Sequence, residues 1–562
     1  MLARSTFIAL AATSAVLRAQ QSAPAEVIVT NAVVYTVDDT RPRASALAIR
    51  GGRFVYVGDD AGVQAMRGAT TRVINAAGQT IIPGMADAHG HILGLGAALE
   101  SVDLTGTASY AEIIARVTAK AKTLPPGTWV QGRGWDQNDW PDQRFPTHEA
   151  LSKAVPGNPV FLTRVDGHAA LANATAMRSA NITVATQDPE GGRIERNADR
   201  SPTGVFVDRA MGLVAQRIPS STTADVRRRV LLAMRDATKW GLTSVHDAGT
   251  SAQTLGVYEQ LGQEGALLLR TYVMLADNGP TLEREFAKGP RSGLFNGFLW
   301  VRSVKLVADG ALGSRGARML EPYADDPGNH GLELARPEHL QDVSVRALKA
   351  GFQINTHAIG DGANHTALDV YERALREVPA TDHRFRIEHA QILTPDDIPR
   401  FAKLNVIPSM QASHQTSDMY WAEKRVGPER IKGAYAWRSL LETGVIIPNG
   451  SDFPVEAVNP LISFHSALTR QDAKNYPPGG WYPAQKMTRD EALKSMTLWP
   501  AIASFQEKEY GTITVGKAAD FVILDRDIMA VPGEQILGTA VVATWVGGRA
   551  VYERGIKLRK DR

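Results

Sequence analysis

Side chains able to bind a metal ion occur at widely separated points of this 562-residue chain, most of them just after a short apolar run. His89 and His91 lie two positions apart, and residues with that spacing on a strand point to the same side, so both can reach one ion. The chain contains no cysteine, so any metal must be held by nitrogen and oxygen ligands. The complete set of candidate ligands is His89, His91, Lys305, His357, His389 and Asp452.

Each candidate also has an ordinary structural interpretation. His357 and His389 could be histidines whose hydrogen bonds are satisfied inside a core, and Asp452, which follows Gly450 and Ser451, could be a turn residue. Lys305 is harder to explain, because burial disfavours the charge of an unpaired lysine. A salt bridge to Asp309 or a side chain that extends to water remains the alternative for Lys305.

The elements that would position these side chains are β-like runs that alternate with helical patterns. Such alternation indicates an α/β fold with a parallel sheet, and eight strands are the number in a (β/α)8 TIM barrel. Polar side chains at the carboxyl ends of barrel strands face the active site. The predicted strands are Ile81–Ala88, Thr243–Ala248, Leu269–Leu275, Val301–Ala308, Phe352–Ala358, Phe385–Ala390, Val406–Gln411 and Val445–Asp452.

Both ends of the chain differ from the middle: short β-like runs of branched residues are separated by turns that contain glycine. We therefore predict a small β-sandwich assembled from residues 23–80 and 500–562, and a barrel domain over 81–499. Residues from about 104 to 217 do not show the alternation of strand and helix patterns expected of the barrel, and are predicted to form a subdomain inserted after the first strand.

Composition excludes several classes of function. Lys and Arg total 62 against 59 Asp and Glu, so the formal charge of +3 gives no electrostatic footprint for nucleic acid or for an anionic membrane. Residues 1–22 combine Arg4 with an acid-free apolar run and small residues, which is typical of a signal peptide and too short for a membrane span. We expect a secreted or periplasmic protein without stable membrane insertion; the alternative is a disordered or helical start of a cytosolic protein.

Five motifs occur in a characteristic order and resemble those of the amidohydrolase superfamily, in particular amidohydrolase family 3, the YtcJ-like group that includes N-substituted formamide deformylases. The resemblance covers almost the whole mature chain. The motifs are PGMADAHGHILGLG, VKLVADGALGSRGA, THAIGD, RIEHA and NGSDFPVE.

This resemblance implies a centre with two divalent metal ions. His89 and His91 would bind one ion, His357 and His389 the other, and N-carboxylated Lys305 would bridge them. Asp452 would bind the first ion and handle the proton when a metal-activated hydroxide attacks the substrate carbonyl. The family usually carries zinc, which agrees with nitrogen and oxygen ligation. A single-metal site with unmodified Lys305 remains open.

Six further residues are candidates for substrate contact. Three of them lie in the predicted insertion, where internal packing is the alternative, and His414 follows the seventh strand, where it could instead stabilise a loop. Two follow Lys305, and for Arg315 an ion pair with a surface carboxylate is equally compatible with the sequence. These candidates are Trp135, Asp136, His168, Asp309, Arg315 and His414.

The sequence therefore predicts an amidohydrolase that cleaves a non-peptide C–N bond, of amide, N-acyl or N-formyl type, in a small molecule. A lactonase, a cyclic amidase or a decarboxylase could use the same centre, and a non-catalytic metal-binding barrel is the remaining alternative. Neither the substrate nor the oligomeric state follows from the sequence, so a homo-oligomer stays open.

Overall fold

The structure, a computed structural model, describes residues 23–554. The predicted signal peptide, residues 1–22, therefore lies outside the described residues, as does the end of the predicted sandwich at 555–562. Among the helices of the described part, none combines the length and the apolarity needed to cross a bilayer.

Seven parallel strands form the barrel sheet, and each pairs with the next one along the chain. Most of them are buried on both faces, which agrees with their content of branched apolar residues. The short strand Arg291–Gly293 pairs antiparallel with the fourth barrel strand. The seven barrel strands are Met85–Gly90, Leu242–Thr250, Arg270–Ala276, Leu299–Val307, Gln353–Ala358, Arg386–His389 and Ile407–Ser409.

The eighth barrel position differs from the prediction, because Val445–Asp452 does not form a regular strand. Asn449 instead makes an isolated parallel bridge to Met410. On its other side the Asn449 carbonyl accepts a hydrogen bond of 3.1 Å from the Ala88 amide of the first strand. Pro448 lacks an amide proton and so interrupts a ladder at this point. The segment still closes the barrel between its seventh and first strands.

The predicted first strand, Ile81–Ala88, is two strands in the structure. Thr80–Pro83 pairs with Phe521–Leu524 in the sandwich, whereas Met85–Gly90 begins the barrel. The break falls at Gly84, where a Cβ atom would lie 2.2 Å from Oγ1 of Thr243. A glycine is therefore required where the chain passes from one domain to the other.

Amphipathic helices cover the barrel. Thr223–Lys239 begins with a reciprocal capping box between Thr222 and Asp225, and its apolar face is buried in the main core. The other helices outside the insertion are Ile92–Glu100, Ala252–Gln263, Gly279–Lys288, Leu294–Gly297, Pro337–Ala350, Asp361–Glu377, Ile398–Lys403, Ala412–Asp418, Ala422–Arg430, Trp437–Leu441, Pro460–Thr469, Arg489–Ser495 and Leu498–Ala503.

The sandwich contains strands from both ends of the chain. Its core includes Phe54, Phe521 and Trp545, and the rings of the last two stack 5.3 Å apart. One sheet consists of Val27–Thr30, Ala46–Arg50, Arg53–Gly58 and Arg72–Asn75. The other consists of Val33–Tyr35, Arg43–Ala44, Thr80–Pro83, Phe521–Leu524, Val541–Val546 and Arg549–Glu553.

Between the first and second barrel strands, a six-stranded mixed sheet forms around its own apolar cores. Its helices are Tyr110–Ala121, His148–Ala154, Ala174–Ser179 and Gly212–Ala215. Its strands are Val102–Asp103, Val130–Trp135, Val160–Arg164, Ala169–Ala172, Gly192–Arg196 and Pro202–Asp208. We refer to residues 102–215 as the inserted sheet region.

Candidate metal centre

The six predicted ligands meet at the carboxyl ends of the barrel strands, and all six line one cavity of about 620 Å³. The ring centroids of His357 and His389 are 4.5 Å apart, and those of His89 and His389 are 5.0 Å apart. Nε2 of His91 lies 2.9 Å from Oδ1 of Asp452. Side chains separated by most of the polypeptide are thus brought into one cluster.

Three of these side chains are close enough to share one ion. One ligand atom each from His89, His389 and Asp452 lies within 4.8 Å of the others, and all three residues are buried. Nε2 of His357 is also buried without a hydrogen-bond partner, 3.5 Å from Oδ1 of Asp309. A buried imidazole nitrogen left free in this way is suited to bind a cation, so the donor set fits a metal that prefers nitrogen and oxygen.

The opposite ring nitrogens of three histidines are held by hydrogen bonds. In each case the nitrogen concerned is Nδ1. For His89 it lies 2.5 Å from Oε2 of Glu388, and for His91 it lies 2.8 Å from the Ala248 carbonyl oxygen. For His389 it lies 2.7 Å from Oε1 of Gln411. A partner on Nδ1 orients the ring and leaves Nε2 for the ion. The structure therefore presents the rings in a form ready for ligation.

A buried charged network lies behind His89. Nε of Arg386 is 2.7 Å from Oε1 of Glu388, and both side chains are 0% exposed. Arg386 also donates to the Ala88 carbonyl over 2.6 Å and to Oγ of Ser409 over 2.8 Å, and it lies 2.9 Å from Nδ1 of His246. The network thus links four barrel strands beneath the cavity.

Sequence reasoning missed Glu388, Arg386 and Gln411 as supporting residues. The available signal was the alternation in RIEHA, where Arg386 and Glu388 place two charges on one face of a strand predicted to be buried. Two charges inside a barrel strand require partners, and that requirement could have pointed to a histidine ligand.

Burial determines the protonation states in the cluster. It lowers the pKa of His89 to about 4 and that of Lys305 to about 8, although Glu388 and Asp452 partly offset the effect on the lysine. Burial alone would raise the pKa of Asp452, but the neighbouring His89 and His91 outweigh it and hold that pKa well below its usual value. His89 is therefore a neutral imidazole beside the ionised carboxylate of Asp452.

Backbone strain occurs at two of the ligand positions. His389 has φ of 75° and Asp452 has φ of 57°, both in the left-handed region that non-glycine residues rarely adopt. Such conformations persist only where the surroundings fix them, and they concentrate at functional sites. His389 is the last residue of the sixth barrel strand, Asp452 lies on the segment that closes the barrel, and both side chains line the cavity.

Lys305 lies directly against a candidate ligand nitrogen. Its Nζ is 2.9 Å from Nε2 of His89, and the described residues include no ion pair for it, with Asp309 or with any other carboxylate. Asp309 instead accepts hydrogen bonds from the amides of Ile359, Gly360 and Arg318. Asp309 is buried beneath the cavity and holds two loops together.

Among the candidates for substrate contact, His168 lines the cavity. Its Nδ1 lies 2.6 Å from Oδ1 of Asp208, and its ring centroid is 5.3 Å from that of His357. Burial would lower the pKa of His168, but the charge and hydrogen bond of Asp208 outweigh burial and raise that pKa to about 9. His168 therefore presents an imidazolium to the cavity at neutral pH.

His414 lies beside the cluster, with its ring stacked on that of His389 at 5.7 Å and its Nε2 3.9 Å from Oδ2 of Asp452. Trp135 packs in a core of the inserted sheet region and donates from Nε1 to the Leu162 carbonyl over 2.8 Å.

The remaining candidates are held by ion pairs. Asp136 contacts Arg164, and Arg315 lies 2.9 Å from Asp325, which is the surface pairing considered above as the alternative. The cavity wall formed by the described residues includes none of Trp135, Asp136, Asp309 and Arg315.

Comparison with known proteins agrees with this geometry. The Arabidopsis thaliana protein LONG AFTER FAR-RED 3 is 34% identical over 544 residues, which cover 94% of this chain and 92% of that protein. An N-substituted formamide deformylase from Arthrobacter pascens is 29% identical, covering 94% of this chain and 98% of its own length.

A solved structure of an uncharacterized metal-dependent hydrolase from Pyrococcus horikoshii OT3 is 28% identical, with a TM-score of 0.73 over 90% of this chain and 99% of that one. A family model described as the amidohydrolase family matches residues 72–552. The resemblance predicted from the motifs is thereby confirmed, and the chain belongs to the amidohydrolase family.

Proposed function

We propose that this protein is a metal-dependent hydrolase that cleaves an amide, N-acyl or N-formyl C–N bond of a small molecule. Membership of the amidohydrolase family supports hydrolysis of C–N bonds. The observation that carries the proposal is the cluster of His89, His389 and Asp452, whose ligand atoms lie within 4.8 Å of one another. The cavity of about 620 Å³ in front of them is of a size typical for small-molecule sites.

The N-formyl class is supported by the similarity to the Arthrobacter pascens deformylase over nearly its whole length. Nitrogen and carboxylate donors without sulfur favour zinc. On the assignment that the motifs imply, His89, His91 and Asp452 would hold one ion, His357 and His389 would hold the other, and carboxylated Lys305 would contribute to both. A bound divalent ion lowers the pKa of its water to about 7 and polarises a carbonyl oxygen.

Asp452 is suited to move the proton. Its carboxylate is ionised and faces the cavity, so it can accept a proton from the attacking water and return it to the leaving nitrogen. His168 lines the same cavity as an imidazolium and can donate a hydrogen bond to the carbonyl oxygen as negative charge develops there. Asp208 keeps the His168 ring oriented for that role.

Lys305 is suited to carboxylation. Burial lowers the pKa of its ammonium group to about 8, so about a tenth of it is, at pH 7, the neutral amine that attacks carbon dioxide. The new N–C bond releases one proton and gives a carbamate. That anion would replace a cation beside His89 with two oxygen donors for metal.

The test uses purified protein loaded with zinc and a panel of N-formyl amines, N-acyl amines, lactones and aromatic acids. We expect turnover of the formyl or acyl compounds. Asp452→Asn should reduce kcat about 10²–10⁴-fold, the usual contribution of a general acid–base group. Metal content measured on the same samples separates loss of proton transfer from loss of the ion.

Turnover only of lactones or of aromatic acids would refute the assigned bond type. Full wild-type kcat in Asp452→Asn would refute the role of that carboxylate. Protein without detectable metal after zinc loading, and without turnover, would favour a non-catalytic barrel.

We further propose export to the periplasm or the medium, from the composition of residues 1–22. Amino-terminal sequencing of native protein should find a start after this segment. An intact Met1 in the cytosol would overturn that proposal.

A further inference from the structure

The inserted sheet region contributes charge to the cavity that faces the candidate metal centre. Arg133 lines the cavity together with His168, and Arg229 lines it from a barrel helix. Two of these three cations have a carboxylate partner. Nε of Arg229 lies 2.8 Å from Oε2 of Glu100, and His168 lies 2.6 Å from Asp208.

Arg133 differs from the other two. Its Nη2 donates to the Val165 carbonyl over 2.8 Å, its Nε is buried without a hydrogen-bond partner, and no carboxylate of the described residues forms an ion pair with it. Asp166 lies on the neighbouring loop, but Arg164 and the His168 amide already occupy it, at 2.5 Å and 3.0 Å. The guanidinium group of Arg133 therefore keeps N–H donors that have no hydrogen-bond acceptor among the described residues.

Gly167 lies directly beside the guanidinium group of Arg133. It has φ of +77°, which a side chain would strain, and a Cβ atom there would be in van der Waals contact with Nη1 and Nη2 at 3.5 Å. The next residue, His168, approaches the ligand His357, so this one loop connects the guanidinium with the candidate metal centre.

An unpaired guanidinium in a largely enclosed site is unfavourable unless an anion accompanies it. Burial accordingly lowers the pKa of Arg133, and only the more distant charges of Asp452 and Asp166 oppose that effect. A planar guanidinium with free donors matches a carboxylate, which can accept two parallel hydrogen bonds.

We propose that Arg133 binds a carboxylate of the substrate, so that the enzyme acts on anionic amides of the N-formyl or N-acyl amino acid type. This inference rests on the proposed function and narrows its substrate class. Arg133 would determine specificity and would take no part in bond cleavage.

The experiment compares N-formylphenylalanine with N-formyl-2-phenylethylamine, two formamides that differ only in the carboxylate. The specificity ratio is kcat/KM for the acid divided by kcat/KM for the neutral compound. We expect a ratio of about 10–100 in wild type, the discrimination that one charge-assisted contact provides. Arg133→Gln should lower the ratio to near one, mainly through KM of the acid, and Arg133→Lys should retain part of it.

Arg229→Gln is the matched control, because Arg229 lines the same cavity but already has Glu100 as its partner. Its ratio should equal that of wild type. A second readout is calorimetric binding of N-formylphenylalanine to each zinc-loaded variant at a pH and temperature where turnover is slow. Binding should weaken about 10–100-fold in Arg133→Gln and stay unchanged in the control.

Equal use of both formamides by wild type, or an unchanged ratio in Arg133→Gln, would overturn the role of Arg133 while leaving the hydrolase proposal intact. Hydrolysis of neither compound, together with binding of the acid that depends on Arg133, would support the carboxylate site and refute the N-formyl bond type. Hydrolysis of neither compound without such binding would refute both the carboxylate site and the N-formyl bond type.

Discussion

Glu388 offers a direct test of how the barrel prepares a ligand for metal. Its carboxylate accepts from Nδ1 of His89 and pairs with Arg386, and the three side chains are 0–1% exposed. Glu388→Gln keeps the shape of the side chain but removes its charge. The amide offers one oxygen to two donors, and its NH2 group faces a donor where an acceptor is needed.

The expected magnitude follows from the contacts that remain. Removing one partner of a buried ion pair costs about 3–5 kcal/mol because it leaves an uncompensated charge. Arg386 keeps its contacts with Ala88, Ser409 and His246, so we expect the lower end, about 3 kcal/mol. Zinc affinity should fall about 10–100-fold because the ring of His89 loses its orienting carboxylate.

The pKa of Glu388 provides an independent estimate of how much its carboxylate contributes to the free energy of unfolding. Burial alone would raise the pKa of Glu388, but Arg386 and His89 outweigh it and lower that pKa from 4.5 to about 2. A carboxyl group with a lowered pKa stabilises the fold above its unfolded pKa and loses that contribution as pH falls towards the folded value. At about 1.4 kcal/mol per pKa unit, this shift corresponds to roughly 3 kcal/mol, in agreement with the contact argument.

The assay is urea unfolding of metal-free protein at pH 7 and at decreasing pH, followed by zinc titration against a chromophoric chelator. The wild type and Glu388→Gln should differ most at pH 7, begin to approach each other as pH falls below 4.5, and converge only near pH 2. Glu190→Gln is the control, since Glu190 pairs with Arg336 on the surface, where both side chains are more than 70% exposed. Its unfolding free energy should change by less than about 0.5 kcal/mol.

The reasoning is refuted if Glu388→Gln matches the control in both unfolding and zinc affinity. Should that variant fail to fold, Glu388→Asp separates the effects, because it keeps the charge and shortens the reach to His89. It should then recover most of the stability but only part of the zinc affinity.

Three further predictions concern other parts of the site. Lys305→Ala should lower zinc from near two ions per chain to near one, measured by elemental analysis, and an unchanged content would remove Lys305 from the ligand set. Asp418→Asn should stabilise the protein by at most about 4 kcal/mol at pH 8 and by little at pH 4, because burial raises the pKa of this carboxyl from 3.8 to about 7. Gln391 and Tyr435 both donate to Oδ2 and can donate equally to an amide oxygen. A gain of equal size at both pH values would contradict this. Gly450→Ala should lower the free energy of unfolding in urea by about 1–3 kcal/mol and weaken zinc binding, because the added Cβ would lie 2.5 Å from the His89 amide nitrogen. Wild-type values of both quantities would refute the packing of this closing segment against the first barrel strand.

The sequence allowed good prediction of the barrel strands because their pattern is local. Seven predicted strands overlap observed strands, since branched apolar runs bounded by turns and followed by polar residues are recognisable without knowledge of their partners. The prediction of the eighth strand was wrong, because Pro448 has no amide proton to donate to a neighbouring strand. That effect can be judged only when the neighbouring strand is known. The break at Gly84 was hidden because both halves are apolar and extended.

Contacts between distant residues were beyond sequence reasoning. Glu388 and His89 are 299 positions apart, so no spacing rule connects the carboxylate with the imidazole. Similarly, the partners of Arg315 and the core position of Trp135 depend on loops whose paths the sequence does not define. The candidate ligands could be selected because such side chains are chemically unusual at strand ends, whereas a buried glutamate or a tryptophan has many ordinary environments.

The barrel carries the candidate metal ligands, whereas the inserted sheet region carries the residues proposed to contact the substrate, and this separation has a physical cause. Most candidate ligands lie on or next to the carboxyl ends of barrel strands, and Asp452 lies on the segment that closes the barrel. The network around Arg386 ties four of the barrel strands together. Arg133 and His168 come from a separate sheet with its own core, so a substitution there can change which molecule is bound without moving His89 or His389. The specificity ratio of Arg133 variants and the zinc affinity of Glu388 variants should accordingly vary independently.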